Sequence, residues 1–339
     1  MASSSPTPDR VPAPGEFPAP EVPHYWARHT GELRSRLARE IPHDELKSLH
    51  RKQPWRHFVV AIRQFLLLAA ATFVSARFPN PIVWIPSAIV AGFTLFNFTI
   101  LLHEVIHNAV WTGRHEKGNR WLGLLYAFPS GISASQFSRW HLTHHAELGS
   151  ELADPKRHRL SPKVNARWLK ILYFTPALFF IYFRAARAET STYPAELQKT
   201  IRRERNATVL AHLAIAAAVW ALAGFGMAAR VYLVPYFLVF PVAFALNRLG
   251  QHYDIDRDDP AKWGTLMRNS WFWNAAYVNS NFHLEHHYFP SVPLYNLPRL
   301  NRLLKPFFRS IHHVERNYPG LFWDYIVLNK KPHTDWDLA

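Results

Sequence analysis

The chain has 339 residues, 49% of them hydrophobic and 15% aromatic, with a formal net charge of +15 and no cysteine. Without cysteine, disulfides, Fe–S clusters and thiolate zinc sites are excluded, and any metal must be held by nitrogen and oxygen ligands. The positive charge does not form a separate basic module of the kind that binds nucleic acid. Its Lys and Arg residues flank long apolar blocks, so an anionic membrane surface is the better partner.

The N-terminus, Met1 to about Pro23, is rich in Pro, Ser and Ala and lacks the apolar core of a signal peptide, so a disordered tail is expected. From Tyr25 to Arg56, Arg, Glu and Leu recur at helical spacing, which predicts a cytoplasmic surface helix. Apolar blocks follow at about residues 57–76, 81–102, 206–228 and 231–249. Each is near the roughly 20 residues that a helix needs to cross a bilayer. The first two are joined by a link containing Arg77, Pro79 and Pro81, and the last two by one containing Arg230, which predicts two tight helical hairpins. Nearly all the Lys and Arg lie outside these links, so the positive-inside rule places both termini and the central segment in the cytoplasm. Two weaker apolar stretches, Trp121 to Ile132 and Trp168 to Phe183, are expected to lie in the membrane interface.

Histidines recur in three groups: His103 and His107 in HEVIHN, His141, His144 and His145 in HLTHH, and His283, His286 and His287 in HLEHH. Chance is a poor explanation for two copies of one His-x-x-His-His template. His103 and His107 stand four apart and project from one face of a helix. In the other two groups the first and second histidines are three apart, while the third is adjacent and points about 100° away around the helix, so one group can serve two metals. His103 and His107 end the second apolar block, and the other groups lie in cytoplasmic segments, so all three can converge. Asn247 and His252 in NRLGQH leave the bilayer on the same side and extend the candidate ligand set. Eight or nine neutral imidazoles exceed what one ion can coordinate, so two ions are implied. Imidazole alone suits iron, zinc, copper or nickel.

In these residues the sequence resembles the membrane fatty acid desaturase and hydroxylase superfamily, and the run NSNFHLEHHYFPSVPLYNLPRL resembles the end of the catalytic region in acyl-lipid desaturases. The stretch from His103 to His145 also resembles sphingolipid desaturases. The resemblance implies an all-α integral membrane fold, with four transmembrane helices in two hairpins under a cytoplasmic helical cap. In that reading residues 1–56 are the tail and surface helix, 57–310 the membrane domain and 311–339 a cytoplasmic C-terminal tail. It further implies a di-iron centre that uses O₂ and external electrons, with His103, His107, His141, His144, His145, His283, His286 and His287 as ligands. His252 matches an additional ligand, and Asn247 an asparagine that holds a metal-bound water.

Three residues separate the first pair of histidines, as in acyl-lipid, sphingolipid and carotenoid enzymes, whereas acyl-CoA desaturases usually have four. His283 stands where front-end desaturases usually have glutamine. No His-Pro-Gly-Gly motif of a fused cytochrome b5 occurs, so a separate ferredoxin or cytochrome b5 type donor is expected at the basic face. The expected reaction is desaturation of a lipid acyl chain, with hydroxylation of a fatty, sphingoid or carotenoid chain as the alternative.

Glu104, Asp154, Asp254, Asp256 and Glu285 are candidates to support the imidazoles. Trp271, Phe272 and Trp273 are read as ordinary packing, His212 as a packed polar residue, and His312 and His313 as exposed. His103, Glu104 and His107 also satisfy the His-Glu-x-x-His pattern of a zinc protease, which leaves six histidines unexplained. A metal carrier would more readily place its site near the bilayer midplane.

Overall fold

The computed structural model describes residues 23–331. The expected N-terminal tail and the end of the expected C-terminal tail lie outside them. Every regular element among the described residues is helical. In chain order the α-helices begin with α1 (Tyr25–His29), α2 (Gly31–Glu40), α3 (His43–Leu49), α4 (Pro54–Arg77), α5 (Pro81–Ile106), α6 (Glu116–Ala127) and α7 (Ala134–Glu147). There follow α8 (Arg167–Leu172), α9 (Ala177–Thr190), α10 (Ala195–Ala228), a π-helical segment (Ala229–Val239) and α11 (Phe240–His252). The last α-helices are α12 (Trp271–Ala276), α13 (His283–Tyr288), α14 (Leu297–Ser310) and α15 (Tyr318–Phe322), and a π-helical turn (Trp323–Val327) follows.

Among the described residues three helical runs are long and apolar enough to cross a membrane: Pro54–Arg77, Pro81–Ile106 and Ala195–His252. Between α4 and α5 the chain turns through Phe78–Asn80. The Asn80 side chain accepts a hydrogen bond from the Ile82 N–H at 3.0 Å and Pro81 opens the next helix, so two local signals fix the turn. The long third run is not straight. Gly224 sits at φ 81°, a left-handed conformation that glycine adopts without steric cost. The chain folds back there, because the Tyr232 hydroxyl meets His212 Nδ1 at 2.5 Å although 20 residues separate them. In one straight helix the two would stand about 30 Å apart. The reversal therefore falls at Gly224 and not at Arg230, whose guanidinium donates to the Ser75 carbonyl at 3.1 Å. On α5, a Cβ at Gly92 would overlap the Val239 side chain and the Pro235 carbonyl, so glycine lets the returning limb pack closely against α5.

The side chains that face outward on these runs, among them Ile62, Leu66, Phe73, Ile82, Leu210 and Leu222, are exposed and apolar, as a bilayer-facing surface requires. The stretches Trp121 to Ile132 and Trp168 to Phe183 are divided among α6, a turn at Gly131, α8 and α9, with Trp121 and Trp168 exposed.

Beyond the long runs lies a helical cap. The segment expected as one surface helix is three, because Thr30 separates α1 from α2 and Pro42 cannot continue α2. Leu33 and Leu37 of α2 and Leu49 of α3 are buried in the main core, together with Leu300, Leu304, Phe307 and Phe308 of α14 and Tyr318, Leu321 and Tyr325. The buried set on α14 follows the i, i+3, i+4, i+7 pattern of an amphipathic helix. The cap clamps α13, which is six residues long and would not be helical alone. Removing the wholly buried Phe307 ring should therefore loosen the cap: Phe307→Ala is expected to cost about 3–5 kcal/mol. A thermal melt of the detergent-solubilised protein should show a lowered midpoint, while Leu222→Ala on the outward face should leave it unchanged.

Candidate metal centre

Nine histidines converge from α5, the residue following it, α7, α11 and α13, and they sort into two sets. The ring nitrogens of His103, His107, His141, His145 and His286 lie within 4.8 Å of one another, and so do those of His144, His252, His283 and His287. The sequence pattern pairs the first histidine of each His-x-x-His-His group with the second. The fold instead pairs the first with the third, which are four apart, and sends the middle one to the other set. His141 and His145 thus join the first set and His144 the second, whereas His283 and His287 join the second and His286 the first. A four-residue step covers 400°, closer to a full turn than the 300° of a three-residue step by 20°.

Facing nitrogens approach closely: His107 Nε2 and His141 Nε2 at 2.9 Å, His145 and His286 at 3.1 Å, and His252 with both His144 and His283 at 3.0 Å. His144 Nδ1 donates to the Asp154 carboxylate, 2.9 Å from each oxygen, and His252 Nδ1 donates to the Trp263 carbonyl at 2.9 Å. These outward bonds place the proton of each neutral ring on Nδ1. Two bare Nε2 lone pairs then face each other at 3.0 Å, an arrangement that is repulsive unless a cation lies beside both. In the first set, neither of the buried ring nitrogens of His103 has a hydrogen-bond partner. The donor set fits metal ions, and it contains no thiolate or carboxylate that would favour another class.

Electrostatics agree with that fit. Burial, followed by neighbouring basic groups, holds His141, His144, His145, His283, His286 and His287 well below the usual imidazole range, so they are neutral. Lys156 Nζ lies 2.9 Å from His141 Nδ1, and burial, reinforced by Arg248, pushes its ammonium down to about 7. In its deprotonated form the amine would accept the Nδ1–H and leave His141 Nε2 bare. Burial raises the Asp154 carboxyl to about 6, opposed by His252, Lys156 and two backbone N–H groups.

Of the five candidate carboxylates, Asp154 supports a histidine of the centre. Glu104 accepts from the Leu294 N–H at 3.0 Å, Glu285 accepts from Asn301 at 2.6 Å, Asp254 pairs with Arg316, and Asp256 accepts from the Asp258 N–H. Glu104 Oε2 thus serves as an acceptor for the backbone of Leu294 and supports none of the histidines. Asn247 donates to Ser280 Oγ at 2.9 Å and accepts from Gln251 at 2.7 Å. His212 is held by Tyr232 and by the Phe128 carbonyl at 2.7 Å, apart from both sets. His312 is exposed, but His313 is half-buried and hydrogen-bonds the Gly264 carbonyl at 3.0 Å. Lys156 and the Trp263 carbonyl, which complete the support, carry no sequence pattern that would have singled them out.

A cavity of about 270 Å³ opens beside the centre. His103, His141, His283 and His286 form one end, and Phe96, Phe179, Phe183, Val209, Leu213, Phe237 and Phe240 wall the rest. Trp271 and Phe272 are exposed and Trp273 packs on Tyr277 and Tyr318, so none lines it.

The model of the family described as "Fatty acid desaturase" matches residues 79–319, a span that takes in all nine histidines. The chain belongs to that family. Its curated relatives include the sphingolipid delta(4)-desaturase/C4-monooxygenase DES2 of Homo sapiens, 26% identical over 235 residues that cover 68% of each chain. The Bos taurus DES2 is 24% identical over 306 residues, 88% of each chain. The sphingolipid delta(4)-desaturase DES1 of Drosophila melanogaster is 24% identical over 242 residues, 69% of this chain and 70% of the relative. Together with the membrane-length helices, family membership makes this chain a membrane oxidoreductase, a desaturase of lipids.

Asp154→Asn retains an acceptor for His144 but loses the charge, and it should weaken metal binding by roughly 10–100-fold. Glu104→Gln should leave metal content unchanged. Plasma emission spectrometry of both purified variants, across a chelator series, checks this.

Proposed function

We propose that the protein introduces a double bond into the acyl or sphingoid chain of a membrane lipid, using two iron ions, O₂ and electrons from a separate ferredoxin or cytochrome b5 type donor. One observation carries the reading: His103, His141, His283 and His286 share the wall of a cavity of about 270 Å³ whose lining is mostly apolar and aromatic, an environment suited to a hydrocarbon chain. In the same reading all eight box histidines and His252 are ligands, five to one ion and four to the other. Asn247 orients water at the edge of the site through its amide. Iron bound there would supply the activation of O₂ needed to take hydrogen from an unactivated C–H bond.

The protein's own part is positioning. Phe240 and Phe96, packed edge to face at 6.0 Å, present a rigid wall to the chain and exclude water from the centre. Asp154 and the Trp263 carbonyl keep the His144 and His252 protons on Nδ1, so that Nε2 stays available. We further read α4, α5 and the two limbs on either side of Gly224 as four crossings in two hairpins. Both termini, the cap and the centre then lie in the cytoplasm, because the Lys and Arg residues concentrate there. The basic cytoplasmic face suits an acidic electron carrier.

Hydroxylation is the second reading, favoured by the bifunctional names of the DES2 relatives. Lipid mass spectrometry of a host that expresses the chain with a compatible reductase separates the two. A product roughly two mass units lighter is expected, and one roughly sixteen units heavier would instead establish hydroxylation. Either product should vanish in His286→Ala.

A further inference from the structure

The cavity is not uniform. At the end formed by the histidines, α11 contributes Asn247, Arg248 and Gln251, and Lys156 joins them. Arg248 precedes His252 by four residues, so the guanidinium shares a helix face with a histidine of the second set. Arg248 and Lys156 also line a second, small cavity, with His144, Asp154 and His252, and so mark the boundary between the two spaces.

Among the described residues no hydrogen bond or ion pair holds this guanidinium. Asp154 is within electrostatic reach, but its oxygens are taken by His144 Nδ1 and by the Lys156 N–H at 2.9 Å. Glu151 is paired with Arg157 and Arg257. A half-buried guanidinium without a hydrogen-bond partner is costly to keep, and its five donors in a rigid fork match a planar or tetrahedral oxygen acceptor. The other end of the cavity offers less. Ser130 Oγ donates to the Leu95 carbonyl at 3.1 Å, and both His212 nitrogens are engaged. The Tyr236 hydroxyl is a neutral donor, weaker toward an oxygen acceptor than a guanidinium.

We propose that Arg248 anchors the polar head of the lipid substrate through an oxygen acceptor, a carbonyl, carboxylate or phosphate oxygen, with the hydrocarbon running away toward Val209, Leu213 and Phe237. The proposal rests on the reading of the cavity as an acyl site and adds its polarity and direction. Arg248 is then a specificity-determining residue, and the carbons that meet the centre are those nearer the head than the methyl end.

Binding of saturated C16 probes to the purified, metal-loaded full-length protein tests this. Palmitate offers a carboxylate, N-palmitoyl-sphinganine a neutral carbonyl and hydroxyls, and hexadecane no head. Wild type should bind at least one headed probe about tenfold or more tighter than hexadecane. Arg248→Met should reduce that probe to the hexadecane level, with hexadecane binding and metal content unchanged, and Arg248→Lys should fall between. Loss confined to palmitate identifies a carboxylate, and loss extending to N-palmitoyl-sphinganine a carbonyl or hydroxyl oxygen. Equal binding of headed and headless probes by wild type, or equal loss of all three in both variants, would overturn the anchor while leaving the acyl cavity standing. If wild type bound none of the three, the acyl reading would fall with it.

Discussion

The interaction on which the structure depends is the approach of imidazole lone pairs that have no reason to meet without a cation. His144 Nε2 and His252 Nε2 face each other at 3.0 Å although 108 residues separate them, and each is fixed by a bond on the opposite side of its ring. Much of the fold can be understood as the apparatus that holds these rings in place. α5 delivers His103 from the end of a membrane-length run, and α11 delivers His252 from the end of another. The cap presses α7 and α13 against them. Neutral, desolvated nitrogens at this density are mutually destabilising in the metal-free protein, and the buried apolar cap offsets that cost at roughly 1.5–3 kcal/mol for each large side chain fully buried.

Much of this was legible in the sequence because helix geometry is periodic. Apolar blocks of bilayer length, the break at Pro79 and Pro81, and the histidine groups all follow from spacing alone. What was not legible depends on contacts between distant segments. The choice of first-and-third over first-and-second histidines needs the direction in which each histidine set lies, which α7 and α13 settle only when packed against α5 and α11. The carboxylates were ambiguous for the same reason: Asp154 lies ten residues beyond His144 and reaches back, while Glu104, adjacent to His103, points to Leu294. The Trp263 carbonyl is a backbone group and leaves no trace in residue identity. Gly224 lies inside an unbroken apolar run, where composition cannot mark a reversal and Arg230 offered the more obvious polar break. The surface helix divided because helical periodicity tolerates Pro42 on paper, whereas the missing N–H does not.

The crossed arrangement has a mechanical consequence. Because α7 gives two histidines to one set and one to the other, and α13 does the reverse, neither helix can move without disturbing both sets. Two separate sites on separate helices would tolerate independent displacement. The short α13 makes the point sharply: all six of its residues are buried, and Glu285 in its centre is tied to Asn301 of α14. The geometry of the centre therefore reports directly on the packing of the cap.

The same coupling bears on how a lipid chain could be processed with positional control. A hydrocarbon chain offers no directional bonds, so an apolar tunnel alone fixes lateral position and leaves the chain free to slide along its axis. Registration along the axis requires either a closed end or a polar anchor. Arg248 lies one helical turn from His252 on α11, so any anchor there shares a rigid element with the centre itself. A spacing set within one helix is insensitive to motions of the cap or of the bilayer-facing limbs, and in this fold it is the shortest structural route by which head and reacting carbon could be kept in register.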